Sequence, residues 1–469
     1  MATTTSTKTT TGQVRVRLRT DNEDIQLPAD IGAILVSAEL RRYQLSTLVN
    51  RLLKTERPIP LEFLVNGQFL RTTLDEYLTQ NGISAETTLN VEYVRALVPP
   101  LPVASYPHDD WVSSLDVLTS SSRAVTWQSA SPSSRQSRIL SGSFDGNLRV
   151  WDSSNNVIAT GSAHVGPVKH VKFITPDRAV SAGMDRTLRV WEYTDATEPS
   201  PSANLSPILE LYGHTASVDH LAVHGPSSRI LSASADHSIG VWSITKSALP
   251  PAPENLLPGS VTGNKRRKLS HSTKPISQRG PSSLLQGHSA QVAAVCFDEK
   301  DSTVGYSASW DHSVKTWDLT TSACVDTRTT SQSLYSLAHL PELSLLAAGT
   351  SARHVTLIDP RVSATTVSAM TLKGHTNSIS SIAQDPVTAY QIVSGSHDGT
   401  CRIWDLRSGR NDIDGKTAEA VYVIERESAK GQVKRAAGDG IKVFDVVWNS
   451  EIGIASAGED KMIQINKSA

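Results

Sequence analysis

Serine, histidine and aspartate recur together four times along this 469-residue chain. The sets are His164, Ser181 and Asp185; His214, Ser232 and Asp236; His288, Ser307 and Asp311; and His375, Ser394 and Asp398. These residue types can supply a nucleophile, a general base and the carboxylate that orients it. A single acyl-transfer centre would be plausible chemistry; four copies in one chain are not. Each set also carries a tryptophan six residues after its aspartate: Trp191, Trp242, Trp317 and Trp404. Indole N–H, serine hydroxyl, imidazole and carboxylate can join into one chain of hydrogen bonds, which buried polar groups require. The repetition therefore favours structure over catalysis.

The elements that would hold such a network are short strands. A fifth Asp–Trp pair, Asp145 and Trp151, lacks an assigned histidine. With it, the pattern is that of WD repeats, one four-stranded propeller blade per about 40–45 residues. In the second blade, Val168–Phe173 reads as the inner strand, Ala179–Ala182 as the next, Leu188–Trp191 as the third and Pro207–Leu211 as the outermost. Trp317 and Trp404 are 87 residues apart (404 − 317), so one blade lies hidden between them. There, Ile358 takes the tryptophan slot and Arg353 replaces the turn aspartate. The first blade begins at Trp111 and the last holds Val443–Trp448, Ser456–Asp460 and Met462–Ile465, giving seven blades. The last lacks an outer strand. Closure removes sheet edges, so that strand is expected from Arg95–Pro107, where prolines suit an outermost position.

The first 95 residues break the blade pattern. Residues 1–12 are Thr-rich and polar, with no apolar run for a secretory signal, and are expected to be a disordered tail. Val14–Thr20 alternates as a half-buried strand, with Ile25–Pro28 as its expected hairpin partner and Ile34–Val36 a further apolar run. Ser46 is expected to cap a helix carrying Leu48, Val49, Leu52 and Leu53, with Leu45 as a hydrophobic staple. Leu61–Val65, the Asn66-Gly67 turn and Gln68–Leu70 form a hairpin. A short helix, Leu74–Leu78, and a strand, Thr88–Val94, complete an α+β ubiquitin-like (β-grasp) domain over residues 13–95. The chain runs on without a Gly-Gly tail, which makes this a docking module. Residues 96–469 form the mainly β propeller.

Net charge is −1, so no general nucleic-acid footprint exists. No apolar run reaches the ~18 residues of a membrane span. Cys296, Cys324 and Cys401 are odd in number and widely spaced, which suits a reducing compartment. Metal-ligand spacing and phosphate-binding glycine loops are absent. Residues 246–280 are rich in Pro, Ser and Gly and are expected to be a disordered insertion in the third blade. Inside it Lys265, Arg266, Arg267 and Lys268 read either as a solvated charge run or as a nuclear import signal. Arg426–Gly440 reads as a second flexible stretch.

Several segments resemble the WD-repeat ribosome-biogenesis factor of the pescadillo complex. They are Pro60–Val65, Leu70–Leu74, Val91–Ala96, Asp110–Asp116, Arg266–Leu269 and Ser351–His354. The resemblance implies a nucleolar and nucleoplasmic assembly factor for the large (60S) subunit, without cofactor of its own. It implies a heterotrimer with pescadillo and the block-of-proliferation protein, the latter bound by the propeller. It further implies that midasin, a AAA ATPase, grasps the ubiquitin-like domain and strips the factor from pre-60S particles. Midasin would hold a divalent ion, expected to be Mg²⁺, that takes one acidic side chain in trans. By position that ligand is Glu86, in the turn Ser84–Thr87, with Asp75 and Glu76 as competitors. The other classes weighed are a ubiquitin-ligase substrate adaptor, for which no cullin-adaptor helices or F-box-like segment are present, and a signalling or cytoskeletal scaffold. Direct RNA contact stays open at this level.

Overall fold

The computed structural model describes residues 12–468 apart from 29–30, 56, 97, 127–136, 196–202, 258–275, 363–368, 413–414 and 431–440. The chain divides into two units: Met1–Pro99 with Leu406–Asp412, and Pro100–Asp405 with Ile413–Ala469.

In the first unit, β1 (Gln13–Arg19) alternates because Val14 and Val16 enter the core while Arg15, Arg17 and Arg19 face solvent. Its antiparallel partner is β2 (Ile34–Ser37), not Ile25–Pro28. Glu23–Ile25 instead forms a single 3₁₀ turn. The Tyr93 hydroxyl donates to Ile25 O (2.7 Å) and accepts from Leu27 N (3.1 Å), so one side chain does the work of a ladder there. Helix α1 (Arg42–Leu53) starts four residues before Ser46, with Arg41 N donating to Gln44 Oε1 (2.9 Å). Ser46 is therefore no cap but sits inside the helix and accepts from Leu61 N (3.3 Å). Leu45 does not precede the cap either: it is the fourth residue of the helix and is fully buried in the core with Val49. Strands β3 (Leu61–Val65) and β4 (Gln68–Phe69) meet through Asn66 and Gly67, at φ of 52° and 78°, the left-handed pair that this hairpin turn needs. Helix α2 (Leu74–Gln80) is capped by Thr73, whose hydroxyl accepts from Glu76 N (3.2 Å). Strand β5 (Leu89–Arg95) lies between β1, parallel, and β3, antiparallel, giving the β-grasp order β2-β1-β5-β3-β4. Phe63, Val65, Leu74, Val91 and Tyr93 pack with Leu45 and Val49 beneath it.

The second unit is built from seven sheets, each an antiparallel meander from an inner to an outer strand. The last is completed by β6 (Leu101–Pro107), which pairs antiparallel with Met462–Lys467, Tyr106 opposite Ile463. Pro102 and Pro107 tolerate this edge because no further strand needs their missing N–H. Asp445 locks the same junction. It accepts from Ser114 Oγ (2.7 Å) and Leu115 N (3.0 Å) of the first blade and from Ser381 Oγ (2.8 Å) of the sixth.

Both ends of the 246–280 insertion are ordered, contrary to expectation. Leu249 is buried among the apolar residues of blades two and three, and Ser277–Arg279 pairs in parallel with Leu209–Leu211 on the outer edge of blade two. The insertion of blade six does the same for blade five, where Gly415–Ala418 lies parallel to Met370–Lys373. Covering an edge strand satisfies its open backbone groups, which is why these segments take on order. The Arg426–Gly440 stretch also begins ordered: Arg426 is 1% exposed and a 3₁₀ turn, Glu427–Ala429, follows it.

Candidate docking sites and the buried networks

The four sets of polar residues assemble alike. Imidazole Nδ1–H donates to the carboxylate from His164 to Asp185 (2.9 Å), His214 to Asp236 (3.0 Å), His288 to Asp311 (2.8 Å) and His375 to Asp398 (2.9 Å). Nε2 then accepts from the hydroxyl of Ser181, Ser232, Ser307 or Ser394, each at 2.7 Å. The indole N–H of Trp191, Trp242, Trp317 or Trp404 donates to that same oxygen at 2.8 Å. Burial pushes His288 and His375 below the ordinary imidazole range, so both are neutral, as an Nε2 acceptor requires. Burial would raise Asp311, but bonds from Ser313, His288 and Ser289 N outweigh it and hold the carboxyl at about 2. All four serines are fully buried, and each oxygen is bonded by both neighbours. No substrate can reach them, and the trios hold blades together.

The remaining blades vary the theme in ways their sequences hid. In the first, His108 fills the histidine place: Ser141 Oγ lies 2.8 Å from its Nε2 and accepts from Trp151 Nε1 (2.9 Å). Its Nδ1 faces Tyr106 O (3.1 Å), while Asp145 pairs with Arg149 (2.7 Å). In the seventh, Asn466 stands where the tryptophan would be and Arg426 replaces the histidine. The guanidinium donates to Ser456 Oγ (2.9 Å), to Ser456 O (3.0 Å) and, through Nε, to Asp460 (3.0 Å). Blade five drops the network altogether. Strand register confirms Ile358 opposite Leu346, as Trp317 is opposite Gly305. The same register puts Ala348 in the serine place and Ala352, not Arg353, in the aspartate place. Arg353 is the following residue, with φ 70° like His312 at 67° in blade four.

Residues from all seven inner strands line a cavity of about 300 Å³. Its mouth is aromatic. Phe144 and Trp310 directly follow the second strands of blades one and four, and Tyr335 and Phe444 are second residues of inner strands, so they share one face. Trp111 meets Phe144 edge to face at 5.4 Å and lies tilted 6.0 Å from Phe444, and Trp310 lies 5.5 Å from Tyr335. Trp111 and Trp310 remain 38% and 42% exposed. Large exposed indoles grouped on one face mark an interaction surface. Below them His170 and His220 stack at 4.1 Å, both kept neutral by burial.

Glu86 has the opposite setting to the blade carboxylates. It is exposed, on a turn braced by Thr87 N and Oγ1 donating to Ser84 O (3.2 and 2.7 Å), and Glu86 N donates to Ser84 Oγ (3.3 Å). Among the described residues its carboxylate makes no ion pair or hydrogen bond. Glu76, by contrast, is engaged at the start of α2, accepting from Thr73 N (3.4 Å). Asp75 is exposed, and its backbone is tied to Ala38 O (2.9 Å). Lys265, Arg266, Arg267 and Lys268 lie outside the described residues. Among the described residues no group of three His, Cys, Asp or Glu could hold a metal, and no helix is long and apolar enough to cross a membrane.

The NLE (NUC135) domain matches residues 14–78, and the WD domain, G-beta repeat, matches 101–152, 155–192, 205–243, 280–318 and 367–405. The chain is 59% identical to the ribosome biogenesis protein ytm1 of Neosartorya fischeri over 464 residues, covering 97% of this chain and 95% of the relative. The ytm1 of Aspergillus oryzae is 58% identical over 473 residues, covering 99% and 97%. The chain belongs to the ytm1 ribosome-biogenesis family. Its role is therefore in ribosome biogenesis.

Proposed function

We propose that the chain is a non-catalytic assembly factor of the 60S subunit, acting in pre-rRNA processing, with two docking places of different kinds. The propeller binds the block-of-proliferation protein, in a trimer with pescadillo, and its aromatic face supplies the anchors. The head is held by midasin, with Glu86 completing the octahedral shell of a divalent ion, Mg²⁺, that belongs to the partner. The observation that carries this reading is the free carboxylate of Glu86 on a braced turn. A hard cation takes such an oxygen readily, and a rigid turn loses little entropy on docking. The chain would then act in the nucleolus and nucleoplasm as the handle by which the motor removes it.

The test is made in cells. Glu86→Ala should enter pre-60S particles together with both trimer partners and then accumulate on them, blocking release dominantly. Failure to enter the particles, or normal release, would overturn the assignment.

A further inference from the structure

The outward face of β1 carries Arg15, Arg17 and Arg19, all exposed. Alternate residues of a strand are about 6.7 Å apart, a stride close to that between neighbouring phosphates of a nucleic-acid strand. None of the three makes an ion pair among the described residues, whereas the other arginines that the unit sets beside its sheet strands do. Arg42 and Arg71 share Glu62, and Arg95 reaches Asp24 (3.7 Å). Opposite Arg15 on β2 is Leu35, 61% exposed, and opposite Arg17 on β5 is Asn90, so no carboxylate neutralises either. Glu92, opposite Arg19, is paired with Arg407 (3.7 Å). The unit is not basic as a whole; β1 sets three of its arginines in a row on one face of the sheet.

We propose that this face of β1 contacts the phosphate backbone of RNA, each guanidinium taking one phosphate of a single strand. The proposal rests on the ribosome-assembly reading for its setting. An acidic protein is the other occupant such a face could take. A protein interface, however, centres on a dehydrated apolar core, and Leu35 alone is too little for one. The exposed positions of β2, β1 and β5 offer no aromatic ring to stack a base, so recognition is of backbone and indifferent to sequence. Arginine suits the role because its planar fork bonds phosphate oxygens in pairs.

The experiment uses the full chain with Lys265, Arg266, Arg267 and Lys268 all changed to Ala, so that the insertion cannot mask the result. Fluorescence anisotropy measures binding of labelled 20-nucleotide poly(U) and poly(A) across a salt series. A second arm uses a labelled polyglutamate peptide. Arg15→Gln/Arg17→Gln/Arg19→Gln should weaken both RNAs at least tenfold and lower the salt slope by about 2, three phosphates at roughly 0.7 each. Arg15→Lys/Arg17→Lys/Arg19→Lys should keep most of the slope. Because no partner protein is present, failure here leaves the assembly role to be judged separately, by co-purification of the trimer. Unchanged RNA affinity in the Gln variant, or capture of polyglutamate but not RNA, would overturn the proposal.

Discussion

Asp185 and Glu86 are both carboxylates on turns, and their surroundings differ in every respect that matters. Asp185 accepts from His164, from Val165 N and from the backbone and hydroxyl of Thr187, and lies within the blade. Glu86 faces solvent with its oxygens free. The propeller uses serine, histidine and aspartate as internal ties, each satisfied by its neighbours. The head leaves the Glu86 carboxylate unsatisfied on a braced turn. Residue type alone does not separate structure from function here; the number of partners and the exposure do. Blades five and seven sharpen the point. Blade seven keeps its serine and aspartate bonded through Arg426, with Asn466 in the tryptophan place, whereas blade five replaces the set by Ala348, Ala352 and Ile358 together. Where one member is changed, either another residue satisfies the rest or the whole set turns apolar, since a partly satisfied network costs more than an apolar core.

The largest effect on stability should come from Arg426→Ala. It leaves Asp460 buried without its counter-charge, which costs about 3–5 kcal/mol. Urea denaturation measures this, and a loss under 1 kcal/mol would mean that the seventh blade does not depend on its clamp.

Acid should act next. Burial lowers His108 to about 4, partly offset by its bond to Tyr106 O. Above pH 6.5 the ring is neutral in both folded and unfolded chains. As pH falls from 6.5 towards 4, the unfolded chain takes the proton first, so stability declines, by about 3 kcal/mol from this residue. The other buried histidines shift stability in the same direction, so the measurement is a difference. His108→Asn should be less stable at pH 7 but should lose less between pH 6.5 and 4 than the parent. An identical slope would contradict the buried neutral ring.

Ala348→Ser places a hydroxyl in blade five where neither histidine nor indole can meet it. A loss of about 1–2 kcal/mol is expected from an unsatisfied buried hydroxyl. A gain would show that the blade retains latent partners. The smallest effect on stability belongs to Glu86→Ala, at no more than about 0.5 kcal/mol by thermal or urea denaturation, because the side chain is exposed and its carboxylate has no partner among the described residues.

The propeller could be read from the chain because the Asp–Trp interval repeats, and each repeat supports the others. What escaped notice had no such interval. Arg426 lies 34 residues before Asp460 and is of a different residue type from the histidines it replaces. His108 follows directly on Pro107, the last residue of a strand that belongs to blade seven, although it serves blade one. Ser277–Arg279 and Gly415–Ala418 are too short to show alternation, and their order comes from the edges they cover. In the head, the Asn66-Gly67 hairpin was legible because only that turn chemistry fits. The partner of β1 was not, since Ile25 and Ile34 are equally apolar and only the tertiary bonds of Tyr93 decide between them. The position of Glu86 came from family resemblance, and nothing in its local pattern marks an exposed turn glutamate as special.

The proposed coordination of a partner's divalent ion by the Glu86 carboxylate can be tested directly. Binding of the midasin metal-site domain to the full chain should be measured by titration with Mg²⁺ and with chelator, for wild type, Glu86→Ala and Glu86→Asp. Tight binding is expected by wild type with Mg²⁺ only, none by Glu86→Ala, and strong weakening by Glu86→Asp because its carboxylate recedes by one methylene. Binding that survives the chelator, or that Glu86→Ala retains, would contradict the coordination mechanism and redirect attention to Asp75 and Glu76.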